Sequence, residues 1–517
     1  MKKQFYLSTA IAYASAIPHI GNVYEAILSD AICRFKRLEG YDVYFQTGTD
    51  EHGQKIEANA AKQDLSPQAY VDMISAEIKR IYDLVDVSYD KFIRTTDQFH
   101  KEAVAAIFEK LHEQGDIYLV KYEGWYSIAE ESFISESDIV DGKGPSGDIP
   151  VWTEEDAYFL KLDKYQERLI NHINQHPEFI APESRKNEIM QNFLNAKLPD
   201  LSISRTSFKW GIPLKNDSSH VVYVWIDALS NYITGLGYNP ELKITETFEK
   251  FWPADYHIIG KDIIRFHVIY WPIILMALGL ELPKHIFAHP WILVDKNKMS
   301  KSVGNVLYTD ELVKHYGVDA IRYYVLHEIP YAQDGNITHE LIMERNNSDL
   351  ANTIGNLVNR TIGMINKYQG GLVKKVILSE PFEYSLKEKA EACLPNVTKL
   401  MNQVKVGDAL GEVLQLARFA NKYVDISEPW NLFKNQETDK LAHVLYSLVE
   451  TIRYIAVLLQ AYIPTTAKLI FEQINSKDTT FASLKKFGVY PEQMIGIAQV
   501  LFERYDINKK LEEIITE

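Results

Sequence analysis

The hydrophobic pattern near the N-terminus changes period, which predicts a strand, a helix and a second strand in succession. Residues 4–11 are rich in β-forming residues, and residues 41–47 form a second such run. Between them, apolar residues recur at helical spacing until Gly40, at Val23, Ile27, Ala31, Phe35 and Leu38. This order predicts a βαβ unit with parallel strands.

The middle of the chain predicts a second α/β half behind an insertion. Ser66 and Pro67 suit the cap and first turn of a helix, and residues 97–114 predict another helix. Residues 118–210 alternate short strand-like runs with turns, which indicates an insertion of mixed structure. Strand-like runs then return, at residues 221–228, 256–260 and 285–293. We therefore expect two α/β halves separated by the insertion.

The last third of the chain predicts helices alone. Beyond about residue 340 no strand pattern is evident, and residues 440–460 carry apolar residues at helical spacing. Ser385 and Glu388 have the spacing of a capping box at a helix start. We expect a helical bundle that continues the chain without a separate linker.

Composition narrows the class of protein. The chain has 517 residues, 46% of them hydrophobic and 24% charged, which suits a globular protein of two or three domains. The net charge of −15 argues against general affinity for nucleic acid, although a local basic patch could still bind a specific RNA. The longest apolar run, residues 268–280, is shorter than the roughly 20 residues of a membrane span, so we expect a buried helix there.

Cysteine usage points to a compartment and excludes one kind of site. Cys33 and Cys393 are the two cysteines of the sequence and lie far apart in it. A secreted chain of this size usually carries more, so we expect a reducing, cytoplasmic environment. Two thiols also exclude a zinc site built from four cysteines.

The segment YASAIPHIGN, residues 13–22, allows two interpretations. The basic start of the chain and the small residues 12–16 resemble a secretory signal with its cleavage site. Alternatively, a buried first strand ends here and leads into a helix N-terminus, where parallel α/β folds hold phosphates. His19 and Asn22 flank Gly21, so both side chains can face an anion that the glycine allows to approach.

A second polar segment, DKNKMSKSVGN, follows a strand-like run. Lys298 and Lys301 can both turn toward a polyphosphate, and the serines beside them and Gly304 suit a mobile loop. Alone, either segment could be an ordinary surface loop. Together they predict a nucleotide site.

The two segments resemble the HIGH and KMSKS signatures of the class I aminoacyl-tRNA synthetases. Within that class, further stretches between residues 10 and 430 resemble the methionyl-tRNA synthetases, in the order of that family: GYDVYFQTGTDEHGQKIE, SISRTSFKWGIP, YVWIDALSNYI, HIIGKDIIRFH, LANTIGNLVNR and NKYVDISEPW. The resemblance places residues 5–17 in the first strand and the amino-acid pocket. It therefore disfavours the signal-peptide interpretation.

The resemblance implies a Rossmann-like parallel-sheet catalytic domain, split by a mixed α/β connective insertion and followed by an all-α anticodon-binding bundle. The corresponding boundaries are 1–117 for the first catalytic half, 118–220 for the insertion, 221–320 for the second catalytic half with the KMSKS loop, 321–345 for a stem-contact linker, and 346–517 for the anticodon-binding bundle.

The implied activity joins L-methionine to the 3′ end of tRNA(Met), the initiator form included, by way of methionyl-adenylate made from ATP. The residues implied at ATP are His19, Gly21, Asn22, Gly260, Asp262, Lys298, Ser300 and Lys301. His19 and Asn22 would hydrogen-bond the phosphates, while Lys298 and Lys301 neutralise the departing pyrophosphate together with Mg²⁺. Asn22 replaces the second histidine of the signature, but an amide still donates a hydrogen bond, so we expect activity.

The methionine pocket implied by the resemblance consists of Ala10, Ile11, Tyr13, Asp50, Trp225, Ala228, Leu229, Tyr232, Ile263 and His267. Asp50 would pair with the ammonium group of the substrate. Tyr13, Trp225 and Tyr232 would wall the soft, unbranched thioether. From the residues alone, these aromatic side chains would more often be plain core.

Two departures from the family change expectations. Many relatives carry Cys-x-x-Cys zinc knuckles in the insertion, whereas the corresponding GWYSIAEESF, residues 124–133, contains no cysteine. We therefore expect no structural zinc. Pro290 stands where glycine is usual, and it implies local stiffness.

In the bundle, the resemblance assigns anticodon recognition to Asn356, Arg360 and Trp430. Asn356 and Arg360 are four residues apart and therefore share one helix face. Recognition would use base-edge hydrogen bonds and stacking. From the residues alone, Trp430 could equally be core.

Three alternatives conflict with other features of the chain. A leucine, isoleucine or valine synthetase would need a larger editing insertion, and a cysteine synthetase would need thiolates for zinc. A non-catalytic RNA-binding paralogue would need damaged signatures, and here they are intact. The sequence ends without the C-terminal tRNA-binding module of dimeric relatives, so we expect a monomer, and we expect no membrane partner.

Overall fold

The computed structural model describes residues 2–129, 132–299, 304–376, 378 and 385–516. The chain forms two compact units, which we name for their main content. The sheet unit comprises Met1–Pro18, Asp42–Asp83 and Ser88–His289. The bundle unit comprises His19–Tyr41, Leu84–Val87 and Pro290–Glu517.

The strands are β1 (Gln4–Thr9), β2 (Ala12–Tyr13), β3 (Asp42–Asp50), β4 (Lys91–Arg94), β5 (Ile117–Ser127), β6 (Ser132–Ile134), β7 (Val151–Leu160), β8 (Ile180–Ala181), β9 (Leu201–Ser202), β10 (Ser204–Arg205), β11 (Val221–Val222), β12 (Tyr256–Gly260), β13 (His285–His289), β14 (Ile292–Val294), β15 (Asn297–Lys298), β16 (Gly335–Asn336), β17 (Leu372–Val373) and β18 (Gln493–Met494).

The helices are α1 (Ile20–Leu38), α2 (Gln54–Ala61), α3 (Pro67–Leu84), α4 (Gln98–Glu113), α5 (Asp163–Gln175), α6 (Glu183–Asn192), α7 (Val224–Thr234), α8 (Glu246–Phe251), α9 (Trp271–Leu278), α10 (Thr309–Tyr316), α11 (Val318–Glu328), α12 (His339–Arg345), α13 (Asn356–Gln369), α14 (Leu386–Met401), α15 (Val406–Ser427), α16 (Pro429–Lys434), α17 (Thr438–Leu459), α18 (Pro464–Gln473) and α19 (Ile507–Thr516).

A parallel sheet forms the core of the sheet unit, in the order β2-β3-β1-β12-β13-β8 with β4 beside β3. The strand β1 pairs in parallel with β3 on one side and with β12 on the other. Its Tyr6 and Leu7 are fully buried, as expected of a central strand covered on both faces. The strand interpretation of the N-terminal segment is therefore confirmed.

The insertion contains an antiparallel sheet in the order β6-β5-β7-β9. The long strands β5 and β7 pair along their length, from Ile117 with Leu160 to Tyr126 with Val151. The strand β8 also lies within residues 118–220, yet it pairs with β13 at the edge of the parallel sheet. Part of the predicted insertion thus completes the parallel sheet.

Two strand predictions were wrong in part. Residues 221–228 were expected to form a strand, but only β11 is extended and α7 begins at Val224. Both faces of this apolar segment are buried, so its hydrophobic pattern has no period that separates strand from helix. Residues 285–293 are divided into β13 and β14, because Pro290 has no N–H to donate to a sheet.

The bundle unit contains the predicted helices, with α17 at its centre. By length and composition α17 could cross a membrane, but 94% of its apolar window is buried inside the protein, so it is a core helix. Ser385 accepts a hydrogen bond from the Glu388 N–H at 3.2 Å, which confirms the predicted cap of α14. The short strands β17 and β18 pair with each other where the sequence predicted helices alone.

Candidate active site

His19 caps the N-terminus of α1, and its hydrogen bonds determine which ring nitrogen carries the proton. The Nδ1 atom accepts from the Gly21 N–H at 3.1 Å, so in the neutral ring the hydrogen is on Nε2. The His19 N–H donates to Asn22 Oδ1 at 3.2 Å, which closes a capping box. Asn22 therefore uses its oxygen for the cap, and its amide N–H groups are the donors that can face an anion.

Backbone pairing holds the first signature beside the segment that follows the second. His19 forms an antiparallel bridge with Tyr308, and the Ile20 N–H donates to the Leu307 carbonyl at 3.1 Å. A Cβ atom at Gly21 would lie 3.0 Å from His19 Nδ1 and 3.6 Å from Met299 Cε. A side chain here would crowd the imidazole, which would have to shift by a few tenths of an ångström.

Of the two lysines in the second signature, Lys298 is among the described residues. Lys298 is exposed at the end of β15, and its ammonium group lies 4.1 Å from the centre of the Trp291 ring. An exposed cation–π contact is worth about 0.5–1 kcal/mol, weak enough to yield to a polyphosphate. Ser300 and Lys301 lie outside the described residues.

A buried ion pair anchors α1, the helix that carries the first signature. Arg322 on α11 is fully buried, and its guanidinium donates to Asp30 of α1 at 2.6 Å. The same side chain donates to the Val85 carbonyl at 2.9 Å and to the Tyr462 carbonyl at 2.8 Å. The orientation of α1 is thereby tied to three other segments of the bundle unit.

The sheet unit gathers a second group of predicted residues at the carboxyl ends of adjacent parallel strands. Asp50 is the last residue of β3, Gly260 is the last of β12, and Ala10 directly follows β1, with Ile11 next to it. Tyr13 on β2 is in register with Asp50. This edge is where open α/β sheets bind ligands.

Helix α7 and the segment after β12 supply the aromatic residues. Trp225 stacks on Phe266 with ring centres 3.7 Å apart and an interplanar angle of 6°. Tyr232 and His267 are joined by a 2.7 Å hydrogen bond at His267 Nε2, and His267 Nδ1 lies 2.9 Å from the Ile263 carbonyl. Ala228 and Leu229, also on α7, are buried.

The protonation of His267 follows from its partners. Burial lowers its pKa to about 4, so the ring is neutral at physiological pH. The Ile263 carbonyl can only accept, which places the hydrogen on Nδ1 and makes Nε2 an acceptor. The Tyr232 hydroxyl therefore donates to His267, and the pocket wall presents no charge from this pair.

Gly260 allows a tight turn at the end of β12. A Cβ atom at this position would lie 2.6 Å from Asp262 Oδ1, so a side chain would displace that carboxylate. Asp262 follows in a short 3₁₀ segment, Lys261–Ile263. The predicted adenosine residues are therefore held close to the strand end.

Sequence reasoning missed several charged or aromatic residues beside this edge: Glu51, His52, Arg94, His100, Asp227 and Phe266. Glu51 is fully buried and accepts from the Arg94 guanidinium at 2.7 and 2.9 Å. Asp227 is buried between His52 and His100. A run of consecutive charged residues after a buried strand, as in GTDEHG, was the available signal.

The three residues assigned to anticodon recognition lie on two helices of the bundle unit. On α13, Asn356 donates to Asn421 at 3.4 Å and Arg360 forms an ion pair with Asp425 at 3.0 Å. Trp430 on α16 is 40% exposed, which argues against a role as core. The structure thus presents an accessible aromatic side chain and two polar side chains on the bundle.

Comparison with known proteins finds matches both for the part with the parallel sheet and signatures and for the C-terminal helices. Residues 5–149 and 144–362 match the family described as tRNA synthetases class I (M), and residues 378–506 match the anticodon binding domain of methionyl tRNA ligase. The chain belongs to the methionyl-tRNA synthetase family. It is therefore a class I aminoacyl-tRNA synthetase, and the family and fold class predicted from the sequence are confirmed.

Individual relatives of the family align over nearly the whole chain. The Methionine--tRNA ligase of Clostridium tetani is 51% identical over 99% of this chain and 80% of the relative, and that of Clostridium perfringens is 50% identical with the same coverage. The solved Mycobacterium tuberculosis methionyl-tRNA synthetase in complex with methionyl-adenylate is 41% identical. It covers 97% of this chain and 100% of that one, with a TM-score of 0.93.

Many members of the family carry zinc knuckles in the insertion, which contains no cysteine in this chain. No group of three His, Cys, Asp or Glu side chains among the described residues could hold a metal ion. Both cysteines are buried and neither forms a disulfide; Cys33 lies in α1 and Cys393 in α14. The sequence prediction of an insertion without zinc stays a prediction.

We expect the purified protein to contain clearly less than one zinc per chain, because the insertion has no thiolate to hold it. Elemental analysis after exhaustive dialysis checks this. Activity and thermal midpoint should be unchanged by a zinc chelator. A stoichiometric zinc that the chelator removes with loss of folding would contradict the prediction.

Proposed function

We propose that this chain activates L-methionine with ATP and transfers it to tRNA(Met). A solved relative binds methionyl-adenylate, and the described residues of this chain include the capped histidine of the first signature and an exposed lysine of the second, both of which support the proposal. The observation that carries the proposal is the backbone pairing of His19 with Tyr308, which holds the first signature beside the segment that follows the second.

In the first step an oxygen of the methionine carboxylate attacks the α-phosphorus of ATP. The bond from that phosphorus to the bridging oxygen breaks, and pyrophosphate leaves. His19 donates from Nε2–H and Asn22 from its amide to phosphate oxygens, while Lys298 leaves the Trp291 ring to meet the growing negative charge. Lys301 is proposed to act with it. Such fixed donors favour the transition state most where charge accumulates.

Mg²⁺ is proposed as the accompanying ion, where it would neutralise phosphate charge. Mg²⁺ usually keeps several waters and binds through phosphate oxygens in nucleotide sites, so it would enter with ATP. Gly21, Ser300, Gly260 and Asp262 are proposed as further ATP contacts, Gly21 because it gives an anion close access to the N-terminus of α1.

Methionine is proposed to bind at the carboxyl edge of the parallel sheet. Asp50 pairs with the ammonium group. The thioether meets Tyr13, Trp225, Tyr232 and His267, whose neutral ring and bound hydroxyl suit a soft apolar side chain. Ala10, Ile11, Ala228, Leu229 and Ile263 complete the proposed lining.

In the second step a hydroxyl of the terminal tRNA ribose attacks the methionyl carbonyl carbon, and AMP leaves. We propose that the anticodon of tRNA(Met), the initiator form included, is recognised by Asn356, Arg360 and Trp430.

We also propose the domain boundaries given above, since β5 begins at Ile117 and β11 at Val221. A cytoplasmic monomer is proposed, and light scattering of the purified chain checks its mass.

The decisive experiment is amino-acid-dependent exchange of pyrophosphate into ATP. We expect exchange with methionine and at most a small fraction of that rate with leucine, isoleucine, valine or cysteine. Charging of tRNA(Met) transcripts should follow. Tight tRNA binding without exchange would instead indicate the non-catalytic paralogue.

Replacing Trp225 by alanine should raise the KM for methionine at least tenfold with a smaller change in kcat, because apolar contact is similar in ground and transition states. Tyr13→Ala should act in the same direction. Steady-state pyrophosphate exchange measures both. The matched control is Trp152→Ala, since that tryptophan is 55% exposed in the insertion. Unchanged methionine kinetics in both pocket variants would remove these residues from the site.

Replacing Trp430 by alanine should separate the two reactions. Aminoacylation of tRNA should weaken by the loss of a stacked base, about 1–3 kcal/mol, while pyrophosphate exchange stays intact. Trp430→Phe keeps an aromatic face and should restore much of the charging efficiency. Arg360→Ala should also weaken charging. Equal losses in both assays would mean that Trp430 supports the fold.

A further inference from the structure

Two buried ionisable residues directly follow Asp50, and the proposed chemistry uses neither. Glu51 is fully buried and His52 is 3% exposed, although both lie in a short connection between β3 and α2. Charged groups are buried in such a place only when they are fully paired. Their partners therefore show what holds this connection.

Glu51 forms hydrogen bonds that hold the connection against β4 and the turn after β4. Its carboxylate accepts two hydrogen bonds from Arg94 and one from the Thr96 hydroxyl at 2.5 Å. Its backbone N–H donates to the Thr95 hydroxyl at 2.9 Å, and its carbonyl accepts from the Trp210 indole at 2.6 Å. None of these hydrogen bonds reaches α7, the helix that carries Trp225 and Tyr232.

His52 joins the connection to α7 by a hydrogen bond. Its Nδ1 lies 2.6 Å from Oδ2 of Asp227 on α7. The other oxygen, Oδ1, lies 2.7 Å from Nε2 of His100 on α4, whose Nδ1 lies 2.7 Å from the Thr234 hydroxyl. Asp227 is 1% exposed, so this chain of hydrogen bonds is shielded from water.

The charge on Asp227 fits this arrangement. Burial alone would raise its pKa, but the neighbouring His52 charge and the hydrogen bonds from His100 and His52 bring the pKa below its ordinary value. The carboxylate is thus ionised and accepts from both rings. Hydrogen bonds to a buried charged group are the stronger and more exacting kind.

Asp227 is two residues from Trp225, next to Ala228 and two residues from Leu229 along α7. His52 is two residues from Asp50 along the chain. The His52–Asp227 hydrogen bond therefore connects the residues just after Asp50 with the helix that carries the proposed side-chain wall. Further back on β3, Gln46 donates two more buried hydrogen bonds to Asn231 of α7, at 2.9 and 2.8 Å. Methionine has to meet both elements at once.

We infer that His52 and Asp227 are positioning residues for methionine: their hydrogen bond sets the placement of Asp50 relative to the pocket wall on α7. The inference rests on the proposed role of Asp50 toward the ammonium group. The effect of breaking the bond is expected to pass through Asp50, so it should be felt by a ligand with an amino group and not by one without it.

The experiment compares methionine with 4-(methylthio)butanoate, the same acid without its amino group. Pyrophosphate exchange gives the KM for methionine and for ATP, and competitive inhibition gives the Ki of the deamino acid. His52→Gln should raise the methionine KM about tenfold, within the range of coupled neighbours, with the ATP KM and the Ki changed by less than about twofold. Asp50→Asn should show the same pattern with a larger rise.

The matched control is His100→Gln, which removes the other partner of the same carboxylate but leaves the His52 link. It should lower the thermal midpoint as much as His52→Gln does, with the methionine KM within about twofold of the parent. A double variant, Asp50→Asn with His52→Gln, should show less than the product of the two single effects, because both act on one contact.

Distinct results overturn the two proposals. If Asp50→Asn weakens methionine and the deamino acid equally, Asp50 is not the ammonium ligand and the proposed pocket is wrong. If Asp50→Asn discriminates but His52→Gln weakens both ligands, or if His100→Gln raises the methionine KM equally, the positioning role is wrong. Should His52→Gln fail to fold, the nearly isosteric Asp227→Asn is the second variant, and the same criteria apply to it.

Discussion

Replacing His19 by alanine should lower the rate of methionyl-adenylate formation at least a hundredfold, with a smaller change in the KM for ATP. The Gly21 hydrogen bond to Nδ1 leaves Nε2 of His19 as the ring donor that can face a phosphate. Loss of one preorganised donor at a site of developing negative charge removes around 3 kcal/mol of transition-state stabilisation. Single-turnover adenylate formation measures the rate directly.

Lys298→Ala should have a comparable effect, since the ammonium group meets more negative charge in the transition state than in bound ATP. The control is Lys296→Asn, an exposed lysine two residues away in the same turn. Lys296 has a φ of 66°, a left-handed conformation that asparagine tolerates, so this variant should stay near the parent rate. A change confined to the ATP KM in His19→Ala and Lys298→Ala would mean that both residues bind ground and transition states equally.

Replacing Arg322 by alanine should lower the free energy of unfolding of the bundle unit by about 3–5 kcal/mol, the usual result of breaking a buried ion pair. The guanidinium and Asp30 are both fully buried, and the Val85 and Tyr462 carbonyls lose their donor as well. Asp30 keeps Arg34 at 2.7 Å, which favours the lower end of that range. Arg322→Lys should recover little, because one ammonium group cannot reproduce the planar fork toward three acceptors.

Calorimetry resolves this prediction if the transition of the bundle unit is followed separately, since a chain with two compact units need not unfold in one step. The control is Lys440→Ala, which breaks an ion pair to Glu437 whose lysine is 52% exposed. Such an exposed pair is screened by water, so we expect its loss to change the free energy of unfolding far less than the loss of the buried pair. An equally small effect for Arg322→Ala would show that the buried pair does not anchor α1.

Local sequence predicted the secondary structure around the first signature as well as the signature itself. The apolar spacing from Val23 onward predicted the helix that begins here, whereas the use of the Asn22 oxygen in the helix cap is visible only in the structure. Alternating periods likewise predicted β1, α1 and β3 in order, because strand and helix differ in which faces they bury. The order of the resembling stretches then led to the family.

Other features depended on segments that are distant in the chain. The start of α7 was mistaken for a strand because its apolar residues are buried on every side and leave no period to read. His52 meets Asp227, 175 positions away, and Asp30 meets Arg322, 292 positions away. The residues next to His52 or Asp30 in the sequence do not indicate which distant residue each of them will contact.

The sequence by itself therefore determined the parallel-sheet class, the two signatures, the helical last third and the family. Only the tertiary structure decided that Trp225 stacks on Phe266, that Lys298 lies over Trp291, and that Trp430 is exposed. The physical reason is range. Periodicity and caps arise from hydrogen bonds and burial within a few residues, whereas ion pairs and ring contacts require the fold to bring remote segments together before their charge and shape can act.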